Sequence, residues 1–325
     1  MKRKRWPWIM VIALLLTACA KPHAPSEPKG EQPPPAALSP LTGTPISEGK
    51  RPLLMVMINN HRQARPQSGL QRADVVVEIL AEGEITRFAA FYFNDLNGTV
   101  GPVRSVRPYY LDLAEGAHAV VVHAGGSTGA LKQIREGDIP HLDGIHQDAR
   151  YFTRVSFRKP PHNLYSRLEE LEQAAEKKGE VPSIRGGYHF ADAPATENGQ
   201  AASEIHLVYH PLYAAGYQYD RATNAYIRYT EGEKQTDRDT GQPLSMQNVL
   251  VIFARHRVLD AAGHREVDVT GKGKGYLFQR GKGIPIEWRF RDGWIVPFKD
   301  GKEVGLLPGK TWVNILPETG KVSFR

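Results

Sequence analysis

The chain has 325 residues, 42 lysines and arginines against 35 acids, and a single cysteine. That length allows one domain or two, and one cysteine excludes an internal disulfide. A net charge of +7 keeps nucleic acid in view only until the charge is located along the chain.

Lys2, Arg3, Lys4 and Arg5 open the sequence, and an apolar run follows from Trp6 through Leu16. The run then reads Leu16-Thr17-Ala18-Cys19. Cations, a short apolar core and small residues before a cleavage point form a secretory signal. The run is shorter than the roughly 20 residues a transmembrane helix needs. A small-residue site ending in Cys has the form of a bacterial lipobox, so Cys19 is the expected lipidation site and a membrane lipid the first expected partner. The localisation that follows is the cell membrane, lipid-anchored, on its extracytoplasmic face. Removing residues 1–18 with their four cations takes the net charge from +7 to +3. That mild excess suits an anionic envelope and gives no reason to invoke nucleic acid.

Residues 19–50 are rich in Pro, Ala, Gly, Ser and Glu, a composition that cannot bury enough surface to offset its ordering entropy. A disordered spacer reaching several nanometres, at about 5–6 Å × √n, is expected there. An α/β domain is expected over 51–195. Its strands are predicted at 53–58, 73–79, 86–93 and 117–123, apolar on both faces. Helices are predicted over 108–115, 127–136 and 166–178, the last with Ser166 as N-cap and Glu169 three residues on. From 204 to 325, short strands alternate with Gly- and Asp-containing turns. They predict a mainly antiparallel β domain, a small barrel or sandwich.

Residues suited to chemistry concentrate in the first domain. Gly101-Pro102-Val103-Arg104-Ser105-Val106-Arg107 joins a strand to a helix beginning at Pro108. Two arginines at such a junction can hold a phosphate or carboxylate beside free backbone N–H groups; the alternative is a pair of surface arginines flanking a turn. His123-Ala124-Gly125-Gly126-Ser127 ends the next strand, where ligands of open α/β sheets sit. Simple turn chemistry with Ser127 or Thr128 as N-cap is the alternative. His162 and Asn163 precede the third helix and can face the same cleft, or be buried and structural. The candidate ligand-binding set is therefore Arg104, Arg107, His123, Gly125, Gly126, Ser127, His162 and Asn163. The turn from Glu82 to Arg87 reads adequately as a hairpin. Twelve histidines show no metal-ligand spacing, and no GxSxG nucleophile elbow occurs. No metal and no cofactor is expected.

The lipobox, the Pro-rich spacer, Val56-Met57-Ile58-Asn59-Asn60, Ala64-Arg65-Pro66-Gln67-Ser68-Gly69-Leu70, Ala73 through Glu78, Gly101 through Arg107, His123 through Ser127 and Pro161-His162-Asn163-Leu164 together closely resemble the YerB-type lipoproteins of Gram-positive bacteria. That family has N- and C-terminal domains of unknown function. The chain departs from its pattern at Glu84 and Asn59, where the resemblance implies Gly and Asp. A fainter resemblance, in the order of strands and turns, is to the LytR–CpsA–Psr enzymes, which transfer wall polymers from a polyprenyl-pyrophosphate carrier. It implies that Arg104, Arg107 and Arg87 grip phosphate and that Asp74 is the acidic partner of a magnesium ion. Two functions follow: an envelope lipoprotein that binds an anionic or glycan ligand, or a phosphoryl-type transferase on lipid-linked wall precursors. A wall precursor or an envelope protein is the expected further partner.

Overall fold

Leu54–Asn59 (β1), Val75–Leu80 (β2) and Thr86–Tyr92 (β3) are buried at every residue, as strands covered on both faces must be. They lie in a computed structural model that describes residues 37–46 and 51–325. Cys19, the signal and most of the expected spacer fall outside the described residues. After β3 come Thr99–Val100 (β4), Pro108–Ala117 (α1), Val120–His123 (β5), Thr128–Gly137 (α2), His141–Asp143 (β6), Phe152–Arg154 (β7), Leu164–Arg167 (β8) and Leu168–Lys177 (α3). The second half is mostly antiparallel strand, so the chain is α/β first and β-rich afterwards.

One sheet runs through both halves. From one edge it reads Lys302–Glu303, Trp294–Lys299, Lys282–Arg291, Lys272–Gln279, Asn248–Ala254, Thr311–Pro317, β2, β3, β1, β5 and β6. Thr311–Pro317 is the joint, parallel both to β2 and to Asn248–Ala254. A smaller sheet includes Ala225–Thr230, Tyr213–Asp220, Glu204–His210 and Lys321–Phe324. Ala36–Arg325 is a single compact unit, and the boundary expected at 195–204 separates stretches that share its main sheet. The strands of the second half divide between two sheets, so neither the barrel nor the self-contained sandwich is present.

Three layers result. Side chains of alternate parity on the central strands point to opposite faces. Met55, Met57, Val75 and Val77 pack with Tyr110, Leu111 and Ile134 of α1 and α2. Val56, Val76 and Phe88 pack with Leu171 of α3 and with Leu207, Tyr217 and Tyr226 of the smaller sheet. Helix α1 begins with Pro108 in its first turn, and α2 begins where Ser127 accepts a bond from Ala130 N–H at 3.3 Å. Two local expectations change. Ser166 does not cap α3; it lies in β8 and donates to the Tyr151 carbonyl at 2.6 Å, while Arg167 occupies the cap position. Within the expected spacer, Leu41 is fully buried in the core, and Pro40 and Thr42 accept backbone bonds from Tyr188 and Gly309. The folded body thus begins before Arg51, because one leucine in a polar segment found an apolar site.

A buried ion pair ties the layers together. Glu78 of β2 and Arg228 of Ala225–Thr230 are both fully buried and 2.8 Å apart. Tyr213 O–H and Thr86 O–H also donate to Glu78, at 2.7 and 2.8 Å, and Trp312 Nε1–H does so at 3.1 Å. Arg228 donates to Tyr217 at 2.7 Å and lies over the Trp312 ring. Burial works against its charge, but the Glu78 carboxylate and its neighbours outweigh that and raise its pKa. Removing one partner of such a pair leaves a buried charge uncompensated, a loss of about 3–5 kcal/mol. Arg228→Met is therefore expected to lower stability to urea by about that amount. Adding Glu78→Gln in the same chain is expected to restore a large part of it, since neither charge then remains.

Candidate functional site

The segment Gly101–Arg107 crosses the carboxyl ends of β1 and β5 and is bonded to both. Asn59 N–H donates to Pro102 O at 2.9 Å, and Arg104 N–H to Met57 O at 2.8 Å. On the other side Ala124 N–H donates to Arg104 O, and Val106 N–H to Gly125 O, at 3.0 and 3.1 Å. The two junctions singled out in the sequence are therefore stitched edge to edge. They lie where ligands of α/β sheets collect, outside the carboxyl ends of the strands.

Their side chains do not all share one role. Arg107 forks onto Glu82, with Nη2 to Oε2 at 2.8 Å and Nε paired with Oε1. Arg87 donates to the Ser105 carbonyl at 2.7 Å and reaches the same carboxylate. Arg104 stands apart: its guanidinium meets no acceptor among the described residues, and its Nε is buried without a partner. Burial and the charges of Arg87 and Arg107 lower its pKa. Burial opposes the charge of Glu82 as well, but Arg107 and Arg87 hold its carboxyl below the usual range. Arg87 and Arg107 thus share one carboxylate, and Arg104, close enough to feel all three charges, is left without an acceptor of its own.

His162 joins this group. Its Nδ1 lies 2.8 Å from Asn59 Nδ2, and its ring stacks on His61 with centroids 4.7 Å apart. Burial, His61, Arg104 and Arg158 all lower its pKa. Asn163 is engaged elsewhere, accepting from Arg154 at 3.0 Å. His123 is fully buried; its Nδ1 contacts the Gly125 carbonyl at 2.9 Å and its ring faces His141. Ser127 is the cap of α2. Gly125 has a left-handed backbone at φ 64° and donates to Asp143 at 3.0 Å. A Cβ on Gly126 would meet Val106 at 3.1 Å, so its role is close approach of the two segments. The charges of Arg104 and Arg107 act on one another and that of Arg104 on His162; His123, Gly125, Gly126 and Ser127 shape the neighbouring backbone. Sequence reasoning missed Glu82, His61 and Asn59. The Glu82 turn looked complete as a hairpin, and its countercharges come from residues 5 and 25 positions away.

Residues 41–181 match the N-terminal domain, and 205–313 the C-terminal domain, of a family described as a protein of unknown function, DUF3048. A Bacillus subtilis (strain 168) protein named "Putative lipoprotein YerB" is 39% identical over 292 residues, 88% of either chain. The chain belongs to the YerB family. The crystal structure of the B. subtilis YerB protein superposes with a TM-score of 0.79 over 88% of this chain and 99% of that one. The YerB-type architecture is therefore that of the folded body described above.

The arrangement implied by the fainter, enzyme-like resemblance is not assembled in this YerB family member. Asp74 precedes β2, and Arg87, the cluster's arginine within the sheet, pairs with Ile79 near the other end of that strand. Five residue steps at about 3.3 Å place the two groups more than 15 Å apart. Asp74 instead accepts the N–H groups of Phe93 and Asn94 at 2.6 and 2.9 Å. It borders a groove of about 790 Å³ that Asp95, Arg72 and Lys310 also line. Among the described residues no group of three or more His, Cys, Asp or Glu is placed to hold a metal.

Burial pushes the Asp74 carboxyl up to about 6, despite its two backbone donors. A raised folded pKa contributes stability below the unfolded value and loses it as pH rises through about 6. Asp74→Asn keeps an acceptor for the same N–H groups and cannot ionise. Its stability relative to the unchanged chain is expected to rise by about 2 to 2.5 kcal/mol between pH 4 and pH 8, measured by urea unfolding at each pH. A pH-independent difference would contradict the assignment.

Proposed function

We propose that this chain is an envelope lipoprotein, held through a lipid on Cys19 at the extracytoplasmic face of the membrane, that binds an anionic ligand at Arg104. The name of the B. subtilis relative, the cationic and apolar start of the chain and its single cysteine support the anchor. Among the described residues no helix is long and apolar enough to cross a membrane. One observation carries the ligand class: Arg104 is a part-buried guanidinium without an acceptor, beside two further arginines that share the one carboxylate of Glu82. Clustered like charges are costly unless an anion joins them. An arginine fork is suited to an oxyanion. Binding is favoured over phosphoryl transfer because Asp74 stands at the far end of β2.

The two parts are tested separately. Cys19→Ala is expected to abolish metabolic labelling with radioactive palmitate and to move the protein out of the membrane fraction; an unchanged distribution would overturn the anchor. For the ligand, isothermal titration with sulfate is expected to give saturable binding to the unaltered protein. Arg104→Gln should weaken it at least about tenfold, the scale of one charge-assisted hydrogen bond, without lowering the unfolding temperature. Equal binding by the two proteins would remove Arg104 from the site.

A further inference from the structure

The donors beside Arg104 are fixed by a relay that begins in the backbone. His61 N–H donates to Asn59 Oδ1 at 2.9 Å, which sets the orientation of the Asn59 amide. Its Nδ2 then faces His162 Nδ1 at 2.8 Å. An amide nitrogen can only donate, so Nδ1 of His162 is an acceptor and the ring proton sits on Nε2. His61 is set in the same sense, because its Nδ1 accepts from Gln63 N–H at 3.2 Å. Two stacked imidazoles therefore carry their protons on Nε2, and among the described residues neither Nε2–H meets an acceptor.

Protonating His162 would require a proton on Nδ1, directly against the Asn59 N–H, and reversing that amide would sacrifice its bond to His61. The charged and titratable groups that face the ring are His61, Arg104 and Arg158, none of them an acid, and together with burial they lower its pKa. Nearby acceptors are already engaged: both Glu82 oxygens by arginines, the Ser105 carbonyl by Arg87, and the Arg104 carbonyl by Ala124. A site whose unengaged side-chain groups are the Arg104 guanidinium and the two Nε2–H groups disfavours an oxyanion that still carries a proton, because that hydroxyl would compete for acceptors already taken.

We propose that Asn59 holds His162 as a neutral Nε2–H donor, and that the Arg104 site selects a fully ionised dianionic oxyanion, the class of a phosphomonoester, without taking up a proton. This rests on the anion-binding reading above and adds His162 as a specificity-determining residue. Three arginines against one carboxylate leave two positive charges, which a dianion neutralises and a monocarboxylate does not.

The test is calorimetric titration of the whole folded protein. Sulfate, a dianion without a proton across this range, is titrated at pH 5.5, 6.5 and 8 in buffers of different ionisation enthalpy. The expected result is an affinity that changes less than about twofold with pH and no net proton exchange. Inorganic phosphate, which keeps at least one P–OH at these pH values, is expected to bind at least about tenfold more weakly, as is acetate. His162→Phe keeps the stack and loses the donor, and should weaken sulfate several-fold. Asn59→Asp still accepts from His61 N–H but gives Nδ1 a carboxylate partner; sulfate binding to it should become coupled to proton uptake and tighten toward pH 5.5. Proton uptake by the unaltered protein, or phosphate binding as tightly as sulfate, would overturn this proposal while leaving the anion site standing. Absence of sulfate binding altogether would overturn both. Displacement of sulfate at pH 8 by dihexanoyl phosphatidate or by glycerol 3-phosphate supports the phosphomonoester class and tells a lipid headgroup from a soluble ester. Displacement by neither refutes that class.

Discussion

Glu78 and Arg228 are 150 residues apart in sequence and in contact at the centre of the fold. Each is fully buried, so neither can be accommodated unless the other arrives with its tyrosine, threonine and tryptophan partners. A buried pair of this kind adds little net stability compared with apolar packing, because desolvation consumes most of the attraction. Its effect is on register. Glu78 lies opposite Asn314 in the parallel pairing of β2 with Thr311–Pro317. Asn314 in turn accepts from Tyr209 and Tyr217 of the smaller sheet. A one-residue slip of β2 would turn Glu78 to the helical face and leave Arg228 without a countercharge.

The same constraint fixes the arginine site. Four residues beyond Glu78 the chain reaches Glu82, the acceptor for Arg107 and Arg87. Arg87 is in β3, paired with Ile79 on one side and Asn59 on the other. The positions of Glu82, Arg87 and Asn59 are therefore consequences of a register pinned at Glu78. Gly101–Arg107 is then held across the strand ends by backbone bonds, leaving Arg104 without an acceptor among the described residues. A rigid sheet supports the site, and loops complete it, the usual division between scaffold and recognition.

Much of the fold was legible in the chain. Runs such as Leu53–Ile58 and Val75–Val77 are apolar at consecutive positions, the pattern of strands buried on both faces. Pro108 and Ser127 carried the starts of two helices in their own chemistry. Tyr213–Asp220 was harder to see because Ala214, Ala215 and Gly216 weaken its alternation, and its burial comes from partners supplied by Glu204–His210 and Ala225–Thr230. Ser166 looked like a cap for α3 because local spacing cannot reveal that Tyr151 offers its hydroxyl a better acceptor.

The sequence by itself determined the cationic, apolar start with its lone cysteine, the change from α/β to β texture, and the two strand-to-helix junctions at Arg104 and His123. These depend on neighbours a few residues away, and local chemistry suffices for them. Only the tertiary structure decided that both halves share one sheet, that Arg107 is neutralised by Glu82 while Arg104 is not, that Asp74 is remote from the arginines, and that Asn59 sets the proton of His162. Each of those is a pairing over tens to hundreds of residues. Whether a charge is satisfied depends on which partner the completed fold brings to it.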